Sequence, residues 1–152
     1  MITLGPVEVW RDLQANVYIN YTPLLPLLKA QPERYEFRLT GFAENWATLE
    51  SIYSLLSCYG HPDLRVVVTV SPVSLMTTFS TLDVIIANIY GKSLLRTAAQ
   101  EWAAAHDNVD YFPSYEIVQN SDRAAVWESD LRHVKGSGTQ HIMDLFLRSY
   151  LA

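Results

Sequence analysis

Apolar residues recur at helical spacing in two long stretches of the chain. Between Thr40 and Gly60 they stand three or four positions apart: Trp46, Leu49, Ile52, Tyr53, Leu56 and Tyr59. This spacing predicts an amphipathic helix, with Thr40 as its N-cap and Gly60 at the C′ position after its last turn. Residues 92–108 carry apolar residues on one face: Leu94, Leu95, Ala98, Ala99 and Trp102. They predict a second helix.

Uninterrupted or short apolar runs predict the strands. Val66–Val70 is a β-branched run without alternation, which is typical of a strand buried on both faces of a parallel sheet. "MITLGPVEVW" predicts a short strand followed by a Gly-Pro break. Short strands are also expected around Val17–Tyr21, around Tyr35–Leu39 and in "VDYFPSYEIVQ", where a Pro-Ser turn follows.

The pattern is ambiguous in residues 74–91, where a loop precedes either a short strand or a helical turn at Val84–Ile86. The last segment, "GTQHIMDLFLRSYL", predicts a helix with four inward residues: Ile142, Leu145, Phe146 and Tyr150. Strands that alternate with helices indicate an α/β fold built from parallel βαβ units. In such sheets ligands bind beyond the carboxyl ends of the strands.

Composition narrows the class of protein. The 152 residues suit one domain, and the net charge of −5, without a cluster of Lys and Arg, argues against nucleic acid as a partner. No apolar run reaches the length of a membrane span, and the N-terminus does not resemble a signal peptide, so we expect a cytoplasmic protein without a membrane partner. The single cysteine, Cys58, excludes an internal disulfide and a multi-cysteine zinc site. We expect it to be buried, with a catalytic thiol as the alternative.

The most distinctive polar pair is Asp130 and His133 in "ESDLRHVKGSG". An Asp three residues before a His can hold one ring nitrogen so that the other accepts a proton from a nucleophile. Surface or helix-capping roles are the alternative for both residues. No histidine stands at metal-ligand spacing, so we expect neither a metal nor a cofactor.

Three further residues are candidates for substrate binding. Glu8 follows a strand-end glycine, and Asn88 and Lys92 lie in "ANIYGKS", which lacks the glycine spacing of a P-loop but could hold an anion at a helix N-terminus. A solvated turn residue and a solvated lysine are the alternatives for Glu8 and Lys92. Ser71, Ser93 and Ser114 lie outside any G-x-S-x-G motif and are best interpreted as turn or cap residues.

Several phrases, in this order, resemble the GSCFA domain family, a bacterial group related to the SGNH (GDSL-like) esterases and acyltransferases. They are "TLGPVEVWRD", "VVVTVSPVSLMTTF", "VIIANIYGKSLLRTAAQEWAA", "VDYFPSYEIV" and "DLRHV…IMDLFLRSY". The resemblance covers essentially the whole chain. It implies a flavodoxin-like parallel sheet flanked by helices, a nucleophilic serine in a first Gly-Ser block, and an Asp and a His together in the last block. Asp130 and His133 match that last block.

The chain departs from the family pattern in two ways. It contains no Gly-Ser block after a first strand and starts near the third block, where "GPVE" stands for the family's Gly-x-x-Glu. We therefore expect a sheet that is incomplete on its N-terminal side. Related esterases also place an oxyanion-binding Asn where this chain has Val7, and losing one such donor lowers the rate by roughly 10²–10³.

These observations leave three hypotheses. The chain is part of a hydrolase of acyl esters on small molecules, carbohydrates or glycans, with Asp130 orienting His133 and the serine supplied by an upstream segment or a partner chain. Alternatively, it is a non-catalytic remnant that binds a ligand or a partner chain. A rearranged site that uses Ser114 is the third hypothesis.

Overall fold

A computed structural model describes residues 1–151, which form six strands and six helices. The strands are β1 (Ile2–Leu4), β2 (Glu8–Asp12), β3 (Val17–Ile19), β4 (Tyr35–Leu39), β5 (Val66–Val70) and β6 (Val109–Tyr111). The helices are α1 (Leu25–Ala30), α2 (Phe42–Tyr59), α3 (Val84–Ala105), α4 (Ser114–Gln119), α5 (Arg123–Val126) and α6 (Gly136–Tyr150). None of these helices combines the length and the hydropathy needed to cross a bilayer.

The main sheet is parallel, with strand order β1-β5-β6. Helix α2 lies in the connection from β1 to β5, and α3 connects β5 to β6, so the predicted α/β alternation is confirmed. The prediction for Val66–Val70 is also confirmed: all five residues are buried and the strand is central. A central parallel strand is covered on both faces, which is why its sequence lacks alternation.

The two faces of β5 contact different helices. Val68 and Val70 belong to a core cluster that includes Trp102 of α3 and residues of α2. The intervening Thr69 points to the other face, where its hydroxyl is 2.6 Å from that of Ser114 at the start of α4. Packing on both faces therefore fixes the position of β5 and of the residues that follow its carboxyl end.

The excursion after β1 forms a second, antiparallel sheet with order β3-β2-β4. The strands expected at Val17–Tyr21 and Tyr35–Leu39 are confirmed, although the first ends at Ile19. Strand β2 was not predicted, because one of its two buried positions is an acid, Asp12, rather than an apolar residue. Arg34 donates to Asp12 Oδ2 over 2.6 Å, and this bond is the main reason why the pKa of that carboxyl is lowered.

Helix α3 is longer than the pattern predicts. It starts at Val84, where Asp83 accepts a hydrogen bond from the Ile85 backbone N–H over 2.8 Å, and the turn expected at Val84–Ile86 is its first turn. The strand alternative for that segment is wrong. Ile85 and Ile89 are exposed, so the apolar residues of this half do not mark the buried face.

The ends of α2 also differ from the prediction. Its N-cap is Gly41, while the Thr40 hydroxyl donates to the Val7 carbonyl over 3.1 Å, so the assignment of Thr40 as N-cap is wrong. Gly60 follows the last helical residue but has a φ of −83°, outside the left-handed region. A glycine is needed there for space, since a Cβ would overlap the Leu56 carbonyl oxygen.

The predicted burial of two residues in the last turn of α2 is wrong. Cys58 is exposed rather than buried, and Tyr59 is 83% exposed. The buried face of the helix is narrower than its apolar spacing indicates. By contrast, the inward face predicted for α6 is confirmed, since Phe146 and Tyr150 pack edge-on against Phe112 at centroid distances of 5.4 and 6.1 Å.

Candidate active site

The loop between α5 and α6 carries Asp130 and His133. A single bridge between Trp127 and Val134 closes it, and the Glu128 N–H donates to the His133 carbonyl over 2.9 Å. At its tip Leu131 adopts a φ of 53°, a left-handed conformation that costs a non-glycine residue on the order of 1 kcal/mol. The loop therefore holds the Asp and the His close together in a defined, strained conformation.

Asp130 is fixed by three hydrogen bonds. Its Oδ1 accepts from the backbone N–H groups of Arg132 and His133, each over 2.9 Å, and its Oδ2 is 2.5 Å from His133 Nδ1. The two backbone N–H groups, that of His133 first, are the main reason why the pKa of the Asp130 carboxyl lies far below its ordinary value. Asp130 is therefore ionised at neutral pH and can accept the Nδ1–H of His133.

The other ring nitrogen of His133 is already occupied. Arg132 Nη2 lies 3.0 Å from His133 Nε2, at a distance at which the guanidinium can donate to an unprotonated nitrogen. Both Asp130 and His133 are about half exposed, so solvent reaches the pair. Arg132 was not predicted as a site residue, although its position inside D-x-x-H was the available signal.

A groove of about 630 Å³ runs beside this loop, which we call the Asp130 groove. The residues that line it come from the loop itself, from helices α3, α4 and α5, and from the segment after β5. They are Ser74, Leu75, Met76, Val84, Ile85, Asn88, Ile89, Tyr115, Gln119, Arg123, Trp127, Asp130, Leu131 and Arg132. Asn88 thus shares this groove with Asp130, while His133 is not among the lining residues.

A smaller cavity of about 200 Å³ lies at the carboxyl ends of β1 and β5, and we call it the Lys92 cavity. It is lined by Gly5, Pro6, Val7, Ser71, Val73, Ser74, Leu75, Ala87, Asn88, Gly91 and Lys92. Lys92 is only 5% exposed, and burial lowers its pKa to about 8. This is the edge of the sheet at which a parallel α/β fold binds its ligands.

Asn88 lies between the two pockets and lines both. Its Oδ1 accepts a hydrogen bond from the Leu75 backbone N–H over 3.0 Å, which fixes the orientation of the amide and leaves Nδ2 as a donor. Asn88 therefore shares one pocket with Lys92 and another with Asp130, a candidate from a distant part of the sequence.

Glu8 is placed apart from the other candidates. It lines a different groove, of about 350 Å³, with Trp10 and residues of the segment after β5. There it accepts hydrogen bonds from the Thr78 hydroxyl and, over 3.4 Å, from the Phe79 backbone N–H. In this position Glu8 anchors the 74–80 segment rather than facing His133.

The three serines named from the sequence are held in other contacts or face solvent. Ser114 is buried, and its hydroxyl donates to the Val70 carbonyl over 3.0 Å. Ser71 accepts from the Val73 N–H over 3.3 Å, and the Ser93 side chain is exposed on α3. Within residues 1–151, no serine makes a hydrogen bond to His133.

Comparison with protein families identifies one match, to the GSCFA family, over residues 1–146. No curated protein and no solved structure shows significant similarity to the chain. The family match extends from the first strand into the last helix and includes the Asp130 loop, both pockets and the two sheets. The chain belongs to the GSCFA family.

Proposed function

We propose that this chain supplies the Asp-His part of a serine-dependent site that hydrolyses acyl esters. The observation that carries the proposal is the 2.5 Å contact between Asp130 Oδ2 and His133 Nδ1, with the same carboxylate held by two backbone N–H groups. A His that is oriented by an ionised, immobilised carboxylate is the arrangement that general-base catalysis requires.

In the proposed reaction, Asp130 accepts the Nδ1–H of His133 and leaves Nε2 as the base. Nε2 takes the proton from a serine hydroxyl while the serine oxygen attacks the ester carbonyl carbon. The resulting imidazolium returns that proton to the departing alkoxide, and water then repeats the sequence on the acyl-enzyme. Arg132 must leave Nε2 before the first step, since its guanidinium lies 3.0 Å away.

The serine is proposed to come from a further segment or a partner chain. None of Ser71, Ser93 and Ser114 makes a hydrogen bond to His133. Strand β1 has only one hydrogen-bonded neighbour in the sheet, β5, so its other edge can accept an additional strand. We propose that such strands would complete a flavodoxin-like sheet of the SGNH type and bring a Gly-Ser block towards the Asp130 loop.

The proposed substrate is an acyl ester of a small molecule or glycan bound along the Asp130 groove. Asn88 Nδ2 and the Tyr115 side chain supply polar contacts beside apolar residues such as Ile85, an arrangement common to small-molecule sites. Val7 contributes no side-chain donor, so any oxyanion stabilisation must come from other groups.

Turnover of p-nitrophenyl acetate tests the proposal. The chain is assayed alone and together with the N-terminal segment of a GSCFA protein that carries the Gly-Ser block. We expect turnover only in the mixture, and we expect His133→Ala to abolish it while His141→Ala, an exposed histidine of α6, leaves it unchanged. Turnover that survives His133→Ala, or a stable mixed complex without turnover, would contradict the proposal.

A non-catalytic binding role is the second candidate. It is favoured by the occupation of His133 Nε2 by Arg132 and by the exposed isoleucines Ile85, Ile86 and Ile89 on the first half of α3. Exposed apolar residues clustered on one helix are common at sites of protein association. A stable mixed complex that lacks turnover would favour this candidate.

A further inference from the structure

Lys92 is a buried cation that has no partner among residues 1–151. The residue is 5% exposed, and within residues 1–151 its ammonium donates no hydrogen bond and forms no ion pair, while Nζ itself is not fully enclosed by protein atoms. Buried charges in proteins are normally paired, because an ammonium that loses its water needs another source of acceptors. Lys92 lines the Lys92 cavity, so the cavity is where an acceptor can be supplied.

The other polar groups around this cavity are also donors. Asn88 Nδ2 makes no hydrogen bond within residues 1–151, since the Leu75 N–H occupies Oδ1, and Ser71 and Ser74 line the same space. No Asp or Glu is among the lining residues. Burial is also the one cause that lowers the Lys92 pKa, without a nearby carboxylate to offset it. A set of donors with a cation is complementary to an anion.

The volume of the Lys92 cavity and the residues that line it indicate which kind of anion it can bind. The remaining walls are apolar and come from Pro6, Val7, Val73, Leu75 and Ala87. Lys92 is the one cation among the lining residues, so a phosphate dianion would leave a second charge unpaired beside these walls. A monocarboxylate has one charged end and one apolar end, and a cavity of about 200 Å³ holds an aliphatic chain of roughly four to six carbons, since an apolar cavity of ~150 Å³ accepts benzene.

We propose that the Lys92 cavity binds a short aliphatic monocarboxylate, with the carboxylate on Lys92 and Asn88 and the chain against the apolar walls. The inference does not rest on the proposed hydrolysis, because neither Asp130 nor His133 lines this cavity. Recognition of the monocarboxylate requires only the Lys92 ammonium, the Asn88 amide and the apolar walls of the cavity.

Calorimetric titration with butanoate, butanamide and inorganic phosphate at pH 7 tests the proposal. We expect butanoate to bind at least tenfold more tightly than its neutral isostere butanamide, and phosphate not to compete. Lys92→Met should weaken butanoate binding at least tenfold, whereas Lys29→Met, which removes an exposed lysine of α1, should leave it unchanged. Equal affinity for butanoate and butanamide, tighter binding of phosphate, or full butanoate affinity in Lys92→Met would overturn the proposal.

Carbon-13 NMR of the Lys92 side chain in the unsubstituted protein gives a readout that needs no variant. A carboxylate beside the ammonium should raise the Lys92 pKa above about 8 on saturation with butanoate. An unchanged titration curve at saturating butanoate would place the ligand elsewhere and overturn the proposal. Neither experiment depends on turnover, so failure of the hydrolase proposal leaves this result interpretable.

Discussion

Replacing Lys92 by Met should stabilise the protein at neutral pH. Methionine keeps the unbranched shape of the side chain and removes the ammonium of a residue that is 5% exposed and has no hydrogen-bond or ion-pair partner within residues 1–151. A pKa lowered from 10.5 to about 8 means that folding disfavours the charged form. At pH 7 this corresponds to about 3 kcal/mol of free energy of unfolding, as an upper value.

The sign of the pH dependence follows from the same values. Between pH 8 and 10.5 the unfolded chain keeps the Lys92 proton that the folded protein has lost, so the stability of the unsubstituted protein rises with pH. The advantage of Lys92→Met should therefore shrink from about 3 kcal/mol at pH 7 to about 1 kcal/mol at pH 10. Other titrating groups are common to both proteins and cancel in the difference.

Urea unfolding at pH 7 and pH 10, followed by tryptophan fluorescence, measures this difference. Lys29→Met serves as the matched control, since Lys29 is exposed, and it should change the stability by less than about 0.5 kcal/mol at either pH. A Lys92→Met protein that is less stable at pH 7, or whose advantage is the same at both pH values, would refute the reasoning from an unpaired buried ammonium.

Three further predictions concern other parts of the molecule. Asp130→Asn should abolish the Nδ1–H tautomer of His133, as seen by nitrogen-15 NMR, and should lower turnover of the mixed complex about 10³–10⁴-fold. An unchanged tautomer would contradict the role of Asp130 in orienting His133. Gly60→Ala should lower the free energy of unfolding by about 1–3 kcal/mol, whereas Gly136→Ala, in the first turn of α6, meets open space and should cost far less. Equal effects would contradict the contact at Gly60. Ser114→Ala should destabilise the protein by about 1–2 kcal/mol in thermal unfolding and leave turnover unchanged, and a loss of turnover in the folded variant would revive Ser114 as a nucleophile.

The sequence predicted the elements whose apolar pattern follows directly from which of their faces are buried. Val66–Val70 is β-branched throughout and lacks alternation because both faces are covered, and the inward face of α6 contacts Phe112 as its period indicates. The predictions fail where a polar residue is buried because a distant residue of the chain pairs with it. Asp12 is buried through its bond to Arg34, so β2 lacks the apolar alternation that would have predicted a strand.

The candidate site divides in a similar way. Asp130 and His133 are near in sequence, so their spacing alone predicted that they could contact each other. The Lys92 cavity brings together Asn88 and Lys92 of α3 with the turns after β1 and β5, and only the packing of α3 on the sheet creates it. The role of Arg132 at His133 Nε2 depends on a side-chain orientation that no sequence pattern encodes.

Labelling with a fluorophosphonate, which reacts with activated serines, tests the central claim most directly. The chain is mixed with a GSCFA N-terminal segment that carries the Gly-Ser block, and mass spectrometry locates the modified residue. We predict labelling of the serine in that block, dependent on His133, and none on this chain. Labelling of Ser71, Ser93 or Ser114, or labelling of the Gly-Ser block that persists after His133→Ala, would contradict the assignment of His133 as the base for a serine supplied from outside this chain.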